Sequence, residues 1–409
     1  MSKKLIVIGG GAAGCFCAVN AARMNPGLRV TLLEKTGKLL SKVRISGGGR
    51  CNCTHACFDI TEMSTRYPRG SRFVKKAFHR FFTTDTIHWF EERGVQLKAE
   101  PDGRMFPVTD RSDTIVECLL RDVNRYRVDV RMNADVKALN KEDGQFRLLL
   151  SDGKTMTADF ICIATGGYPK SSMFDWLTAT GHTIEPPVPS LFTFNIPVHG
   201  ITQLMGVAVS SATVKISGSK LEETGPVLIT HWGLSGPAVL KLSARAARDL
   251  AGKQYTFNIQ VNWLPGQHEQ SLGTQFYAFR HKMAAQKTGW RNPFNLPHRL
   301  WELLLHEAGA DPDKRWADLP AKQQHKLISL LTNSVFSVKG KTTFKEEFVT
   351  AGGINLQEID VQTMQSKLVP GLYFAGEIMD VDGVTGGFNF QHAWTSGYIA
   401  AGSIAEKSY

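Results

Sequence analysis

No stretch of these 409 residues stays apolar for the roughly 18–20 positions that a membrane-spanning helix needs. The first apolar run, Leu5–Ile8, is short and breaks on glycines, so it does not read as a secretory leader, and a cytoplasmic location is the expectation. No Cys-x-x-Cys pair occurs, which removes the usual zinc-knuckle spacing. The seven cysteines are an odd number bunched in the first half, and without a leader they do not suggest a disulfide framework. Cys51, Cys53 and Cys57, with His55 between them, leave a weaker metal-binding alternative open. Neither an internal repeat nor a low-complexity segment is visible. After residue 150 no second Gly-x-Gly-x-x-Gly follows a strand, so a dedicated nicotinamide-nucleotide domain is not expected. The cations are scattered, and no RNA-binding motif stands out.

What is present is ordinary globular composition, 42% hydrophobic and 21% charged, on a chain long enough for two or three domains. The net charge of +11 favours anionic partners such as nucleotides, acidic metabolites or nucleic acid, although a solvated basic surface is the simpler account.

The chemistry begins at KKLIVIGGGAAG. Leu5–Ile8 has the continuous apolar character of a strand buried on both faces, and Gly9, Gly11 and Gly14 then fit G-x-G-x-x-G. The Ala-rich stretch Ala12–Met24 predicts a helix, and Leu28–Leu33 a second strand that closes on Glu34. The first glycine permits a tight turn, the second lets a pyrophosphate approach, and the third lets helix and strand pack closely. The helix N-terminus offers free N–H groups to phosphate, and Glu34 offers a carboxylate to ribose hydroxyls. An acid at that position disfavours a 2′-phosphate, leaving FAD or NAD as the resident ligand.

Further along, 60–125 reads as mainly helical, with Pro101–Pro107 a turn-rich break. Val128–Met132, Phe146–Leu150 and Ala158–Ala164 read as strands, the last running into Thr165, Gly166 and Gly167. Pro186, Pro187 and Pro189 mark a boundary, after which antiparallel strands and then helical patterns follow to about residue 345. The segment Gly371–Glu377 returns to the strand-then-glycine texture, and Gly386-Gly387 feeds a helix N-terminus suited to an anion or an electron-rich ring. The stretch SGGGRCNC (residues 46–53) belongs to the same theme: glycines where backbone must come close to something.

Taken in order, GGGAAG with Glu34, ISGGGRCN, CIATGG, THWGLSGP, VTAGG and GLYFAGEIMDVDGVTGGFNFQ resemble the bacterial NAD(P)/FAD-dependent oxidoreductase family of aminoacetone-oxidase-like and bile-acid-reductase-like flavoproteins. The resemblance spans nearly the whole chain. It implies an α/β fold: a Rossmann-like FAD-binding domain split in sequence, with an inserted β-barrel-like domain and a small helical domain. The implied boundaries are 1–189 and 346–409 for the FAD domain, 190–255 with 333–345 for the β domain, and 256–332 for the helical part. It implies bound FAD, with Gly9, Gly11, Ala12, Ala13 and Gly14 at the pyrophosphate, and Glu34 with Lys35 at the ribose. Gly48, Gly49, Arg50, Cys51 and Asn52 would lie along the cofactor, with Arg50 supplying charge and Asn52 fixing a polar edge. Val136 joins the cofactor contacts. Ala164, Thr165, Gly166 and Gly167 would lie beside the adenine half. Gly376, Glu377 and Asp380 would face the ribityl–phosphate region, and Gly386, Gly387, Phe388 and Asn389 the flavin ring. The family usually continues the RCN block with an apolar residue and Thr-Asn, whereas this chain has Cys53, Thr54 and His55. Cys53 therefore reads as packing.

The function expected is an FAD-dependent oxidoreductase passing hydride between flavin N5 and a small organic substrate, with an anionic one favoured by the charge. NAD(P)H would enter transiently as reductant. A flavin-dependent tRNA-modifying enzyme and a non-catalytic flavin-binding protein are the alternatives, and nucleic acid is the less favoured partner. No catalytic residue is assigned: His231 suits a general acid or a structural histidine equally, and Cys51 suits packing on a ring.

Overall fold

Short apolar runs that end on glycine become the parallel strands of one sheet. The computed structural model describes residues 2–197, 199–290, 292–343 and 349–408. Two compact units divide the chain, Met1–Ser190 with Lys345–Tyr409, and Leu191–Phe344. The expected boundary between 345 and 346 lies outside the described residues.

The first unit runs β1 (Lys4–Ile8), α1 (Ala12–Met24), β2 (Arg29–Leu33), α2 (Ser71–Phe78), β3 (Asp129–Arg131), β4 (Phe160–Ile163), β5 (Leu372–Phe374) and α3 (Phe388–Lys407), with other elements between. Its sheet has the order β5–β4–β1–β2–β3, all parallel. Leu5, Val7, Ile161, Cys162 and Ile163 have no exposed surface, as strands covered on both faces require. Register decides the rest. Ile8 pairs with Leu33 and Ile163, and Ile163 pairs with Phe374, so these strands end level on one edge. The segments Gly9–Gly11, Glu34, Ala164–Gly167 and Ala375–Glu377 all leave from that edge, the end of a parallel sheet where ligands gather.

Small residues bring the helices in. A side chain at Gly397 of α3 would meet Ala13 O at 2.7 Å, and one at Gly376 would meet Ala13 Cβ at 2.8 Å. Larger residues at either position would push α1 and α3 apart.

Local structure departs from the sequence reading in two places. The helical stretch expected through Phe73–Arg93 is two helices, α2 and Thr83–Glu91, because Asp85 accepts from the Phe82 N–H at 2.7 Å and caps a new start. Part of the turn-rich break 101–107 is a strand, Arg104–Pro107, paired with Leu97–Ala99 and Thr54–His55. The units divide just after the prolines near 186–189, between Ser190 and Leu191, and the prolines themselves are strand residues. They lie in the strand Ile184–Pro189, which pairs with Thr350–Ile354 across a register shift between Glu185 and Val188, a two-stranded setting that tolerates missing N–H donors.

The second unit holds a seven-stranded sheet, antiparallel in every strand pairing among the described residues. The strand Thr256–Asn262 sits inside this sheet, at the point where a helical part was expected to open. Helices Glu269–Lys282, His298–Glu307 and Ala321–Asn333 share one hydrophobic core with the strands: Phe276, Trp301 and Leu327 cluster with Ile259, Val261 and Phe336. Sheet and helices therefore bury each other's apolar faces.

Candidate functional site

The glycines of the first turn do two different jobs. At Gly9 (φ +114°) a side chain would meet Ala164 O at 2.3 Å, and at Gly14 it would meet Gly9 O at 1.8 Å. Both are glycine because protein atoms occupy the space. Gly11 has an ordinary extended backbone (φ −84°, ψ −166°), and no protein atom lies within 4 Å of where its Cβ would be. Neither backbone nor packing asks for glycine there. Gly11 stands at the N-cap of α1, whose first turn carries no acidic residue and no side-chain cap. Ala12 and Ala13 supply the next N–H groups.

Glu34 holds this turn in shape. Its carboxylate accepts from Gly10 N–H at 2.9 Å and from the Thr36 N–H and hydroxyl, each at 2.8 Å. It is half-buried at the edge of the sheet, and Lys35 beside it is exposed. Val136 is buried at the start of the strand Val136–Glu142, two residues after Ala134, whose N–H bonds Glu34 O at 2.9 Å.

Residues 46–49 form a left-handed turn at the end of the helical segment Ser41–Gly49. Gly47, Gly48 and Gly49 have φ of +58°, +68° and +83°, and no protein atom lies within 4 Å of a Cβ at Gly48 or Gly49. This short span presents bare backbone outward. The side chains that follow point to protein. Arg50 is held by Glu100 at 2.6 Å and stacks 4.0 Å over the Phe106 ring, so its charge is neutralised locally. With its amide turned to suit both neighbours, Asn52 accepts from Gly387 N–H at 2.9 Å and donates to Thr54 O at 3.0 Å. It ties the 46–54 loop to the start of α3. Cys51 is fully buried at φ +61°, and burial pushes its thiol up to about 12. Cys53 is equally buried and its thiol is also pushed up, so neither is poised as a thiolate.

The loops after β4 and β5 meet. Glu377 accepts from Thr350 N–H at 2.9 Å and pairs with Lys42 at 3.0 Å, and a side chain at Gly167 would strike its carboxylate at 2.9 Å. Ala164 is buried against Gly9, and Thr165 with Gly166 continues that wall. Asp380 N–H bonds Ile354 O at 3.1 Å.

At the start of α3, Gly386 (φ +137°) and Gly387 (φ +91°) form the turn, with a side chain at Gly387 meeting Thr54 O at 2.4 Å. Phe388 is buried and its ring stacks on His55 at 4.6 Å. Both ends of the Asn389 amide pair with Gly383, accepting from N–H at 2.8 Å and donating to O at 2.9 Å. α3 begins with no acidic residue and no side-chain cap, so its dipole end stays open.

Several site-shaping residues escaped the sequence reading. His55, where the chain departs from the family pattern, donates from Nδ1 to Gly386 O across 2.9 Å and stacks on Phe388. Arg69, Ser190 and Asp382 form a buried ion-pair network in which Arg69 makes a two-pronged contact with the Asp382 carboxylate and donates to Ser190 at 3.2 Å. Burial raises the Asp382 carboxyl above its ordinary value despite the guanidinium beside it. His392 in α3 is buried, neither ring nitrogen has a hydrogen-bond partner among the described residues, and burial lowers its pKa to about 4. His231 lies in the second unit, exposed in a turn and packed on Trp232 at 4.5 Å.

A parallel sheet whose strand ends expose glycine backbone, two open helix N-termini and an acid after β2 suit a dinucleotide of the length of FAD. Fold and site define an FAD-binding oxidoreductase. The chain belongs to the HI0933-like protein Rossmann domain family, whose model matches residues 3–403. It is similar to the ribosomal RNA dihydrouridine synthase of Escherichia coli (strain K12), 34% identical over 98% of each chain. It is also similar to the 3-dehydro-bile acid delta(4,6)-reductase of Clostridium scindens, 27% identical over 98% of each chain. Among solved structures, the 3-ketosteroid-delta4-(5alpha)-dehydrogenase of Rhodococcus jostii RHA1 shares the fold, with a TM-score of 0.52, 14% identity and coverage of 98% of this chain and 97% of that one. No helix among the described residues is long and apolar enough to cross a membrane.

Proposed function

We propose that this flavoprotein is a reductase that saturates a carbon–carbon double bond conjugated to a carbonyl. When bound and reduced, FAD would supply a hydride from N5 to the β-carbon and end oxidised, with solvent supplying the proton to the α-carbon. The names of the two curated relatives both describe adding hydrogen across ring double bonds, a 3-dehydro-bile acid in one case and a uridine base in the other. The reading of the cofactor site is carried by Gly11, a glycine required neither by its backbone nor by its protein neighbours. On this reading the turn Gly9–Gly14 and the first N–H groups of α1 hold the pyrophosphate, and Glu34 receives the ribose hydroxyls. The bare backbone at Gly48–Gly49 covers the cofactor, with Val136 and Ala164–Gly167 toward the adenine half and Gly376–Glu377 along the ribityl chain. The open N-terminus of α3, behind Gly386–Phe388, stabilises negative charge at the carbonyl edge of the ring. Asn52 and His55 orient that turn.

The substrate is a small organic enone, with an anionic group suited to the positive chain, and NAD(P)H reaches the same site transiently. Anaerobic mixing tests both halves. NADH or NADPH should bleach the flavin absorbance, and an oxo-diene steroid acid should restore it with loss of the diene chromophore. A flavin that neither nucleotide bleaches refutes nicotinamide as the reductant, and one that no conjugated carbonyl reoxidises refutes the reaction.

A second reading, uridine in ribosomal RNA as the substrate, is favoured by one observation: two curated relatives of that name, 34% and 30% identical, align over 98% of this chain. Ribosomal RNA from a deletion strain should then lack a dihydrouridine found in the parent, and unchanged dihydrouridine content refutes it.

A further inference from the structure

We infer that the outward face of α2 is an RNA-docking surface, placed on the rim of the catalytic loop. This rests on the ribosomal-RNA reading above. Between Glu62 and Asp85 the chain has no acidic residue, yet it carries Arg66, Arg69, Arg72, Lys75, Lys76 and Arg80. Read linearly these cations look scattered, but folding sorts them. Phe73, Val74, Ala77 and Phe78 are buried, while Arg72, Lys76, His79 and Arg80 are exposed and Lys75 is half-exposed. Positions 72, 75 and 76 recur at helical spacing on α2, and His79 and Arg80 follow in the turn that ends it. Arg72, Lys75, Lys76 and Arg80 make no ion pair with any described residue, whereas the arginines just before the helix do: Arg66 with Glu62 and Arg69 with Asp382. A face with four unpaired cations and no acid suits a polyanion, whose phosphates recur along a backbone.

The placement makes this surface part of the site. Tyr67 donates to Phe388 O at 2.6 Å, and Val384 N–H bonds Arg66 O at 2.9 Å. Gly70, the N-cap of α2, lies so close to Val381 that a Cβ would approach its side chain to 2.6 Å. The lead-in to α2 is thus stitched to the 380–388 loop from which α3 starts. Beside it an open groove is lined by Arg72, Phe73 and Lys76 on one side and Gln357, Asp360 and Lys367 on the other. The cations lining this groove, Arg72, Lys76 and Lys367, offer phosphates a place to sit.

The test uses the FAD-loaded full chain and protein-free ribosomal RNA. In the variant Arg72→Gln/Lys75→Gln/Lys76→Gln/Arg80→Gln, the slope of log binding constant against log salt should shrink by roughly 3, given about 0.7–0.9 per phosphate contact. Flavin content and melting temperature should not change. Removing equal charge at Lys282, Lys314, Lys322 and Lys326 should leave the slope near that of the wild type. Equal slopes for all three proteins overturn the proposal, as does a wild-type protein that binds an anionic steroid acid through α2 but not RNA. Complementation separates the two levels. If deletion abolishes a ribosomal dihydrouridine and the α2 variant restores it fully, the surface is refuted and the substrate reading stands. If deletion leaves dihydrouridine unchanged, the substrate reading itself is refuted.

Discussion

Gly11→Ala and Gly14→Ala are the same chemical change three residues apart, and the structure assigns them opposite consequences. At Gly14 the added methyl would lie 1.8 Å from Gly9 O and 3.3 Å from Ala164 Cβ. Backbone would have to move, separating α1 from β1 and β4, and overpacking of this kind costs about 1–3 kcal/mol or more. At Gly11 the methyl meets no protein atom within 4 Å, and the backbone angles suit any residue. The fold then loses only the N-cap preference for glycine over alanine, about 1 kcal/mol or less. FAD affinity should fall all the same, because the methyl stands where the pyrophosphate must approach. If that clash carries the same 1–3 kcal/mol, the dissociation constant rises about 10–100-fold. The assay is flavin fluorescence quenching on titrating FAD into apoprotein, with the melting temperature of the apoprotein measured alongside. Gly11→Ala should keep the melting temperature and lose affinity, while Gly14→Ala should lose both. A Gly11→Ala protein that binds FAD as tightly as the wild type would falsify the assignment of this turn to the cofactor.

Three further outcomes follow from the buried groups. Arg69→Met strands the Asp382 carboxylate in the interior and should cost about 3–5 kcal/mol, whereas Arg69→Met/Asp382→Leu should recover most of it, as seen by denaturant midpoints. Because burial already raises the Asp382 carboxyl, removing Arg69 raises it further, so the single variant's deficit should grow as pH rises from about 4 and shrink in acid; a deficit independent of pH counts against this. His392 is held neutral with a pKa lowered to about 4 from an ordinary 6.5, so its contribution is complete above pH 6.5 and is lost as pH falls toward 4, up to about 3 kcal/mol; His392→Phe should flatten that part of the pH–stability curve. Cys51 and Cys53 should resist alkylation in the native protein and react only on unfolding, and mass spectrometry that finds either labelled under native conditions would contradict their burial.

Much of the architecture was legible because its causes are local. A buried parallel strand needs an uninterrupted apolar run, the turn after it needs glycine, and the helix that follows needs small residues, so Leu5–Ile8, Gly9–Gly14 and Ala12–Met24 announce one another within a few positions. The same logic exposed the strand before Thr165 and the turn at Gly386-Gly387. The prolines at 186–189 read as punctuation and stand just before the division after Ser190, but only the partner strand Thr350–Ile354 makes that segment a paired edge. The protein contacts of Arg50, Asn52 and Asn389 were hidden for a related reason. Their polar groups were free to be claimed by any partner, and the claimants were Glu100, Gly387 and Gly383.

By itself, then, the sequence determined that this protein carries a split dinucleotide fold, with glycine where backbone turns or approaches a ligand and Glu34 at the end of the second strand. Tertiary structure alone decided which glycines packing requires and which it does not. It also decided that Arg69 and Asp382, 313 positions apart, neutralise each other in the interior, and that the cations of α2 gather on one uncompensated face. The division has a physical origin. Backbone conformation answers to neighbours along the chain, whereas the free energy of a charge or a polar group depends on what the fold brings beside it, and whether water remains there.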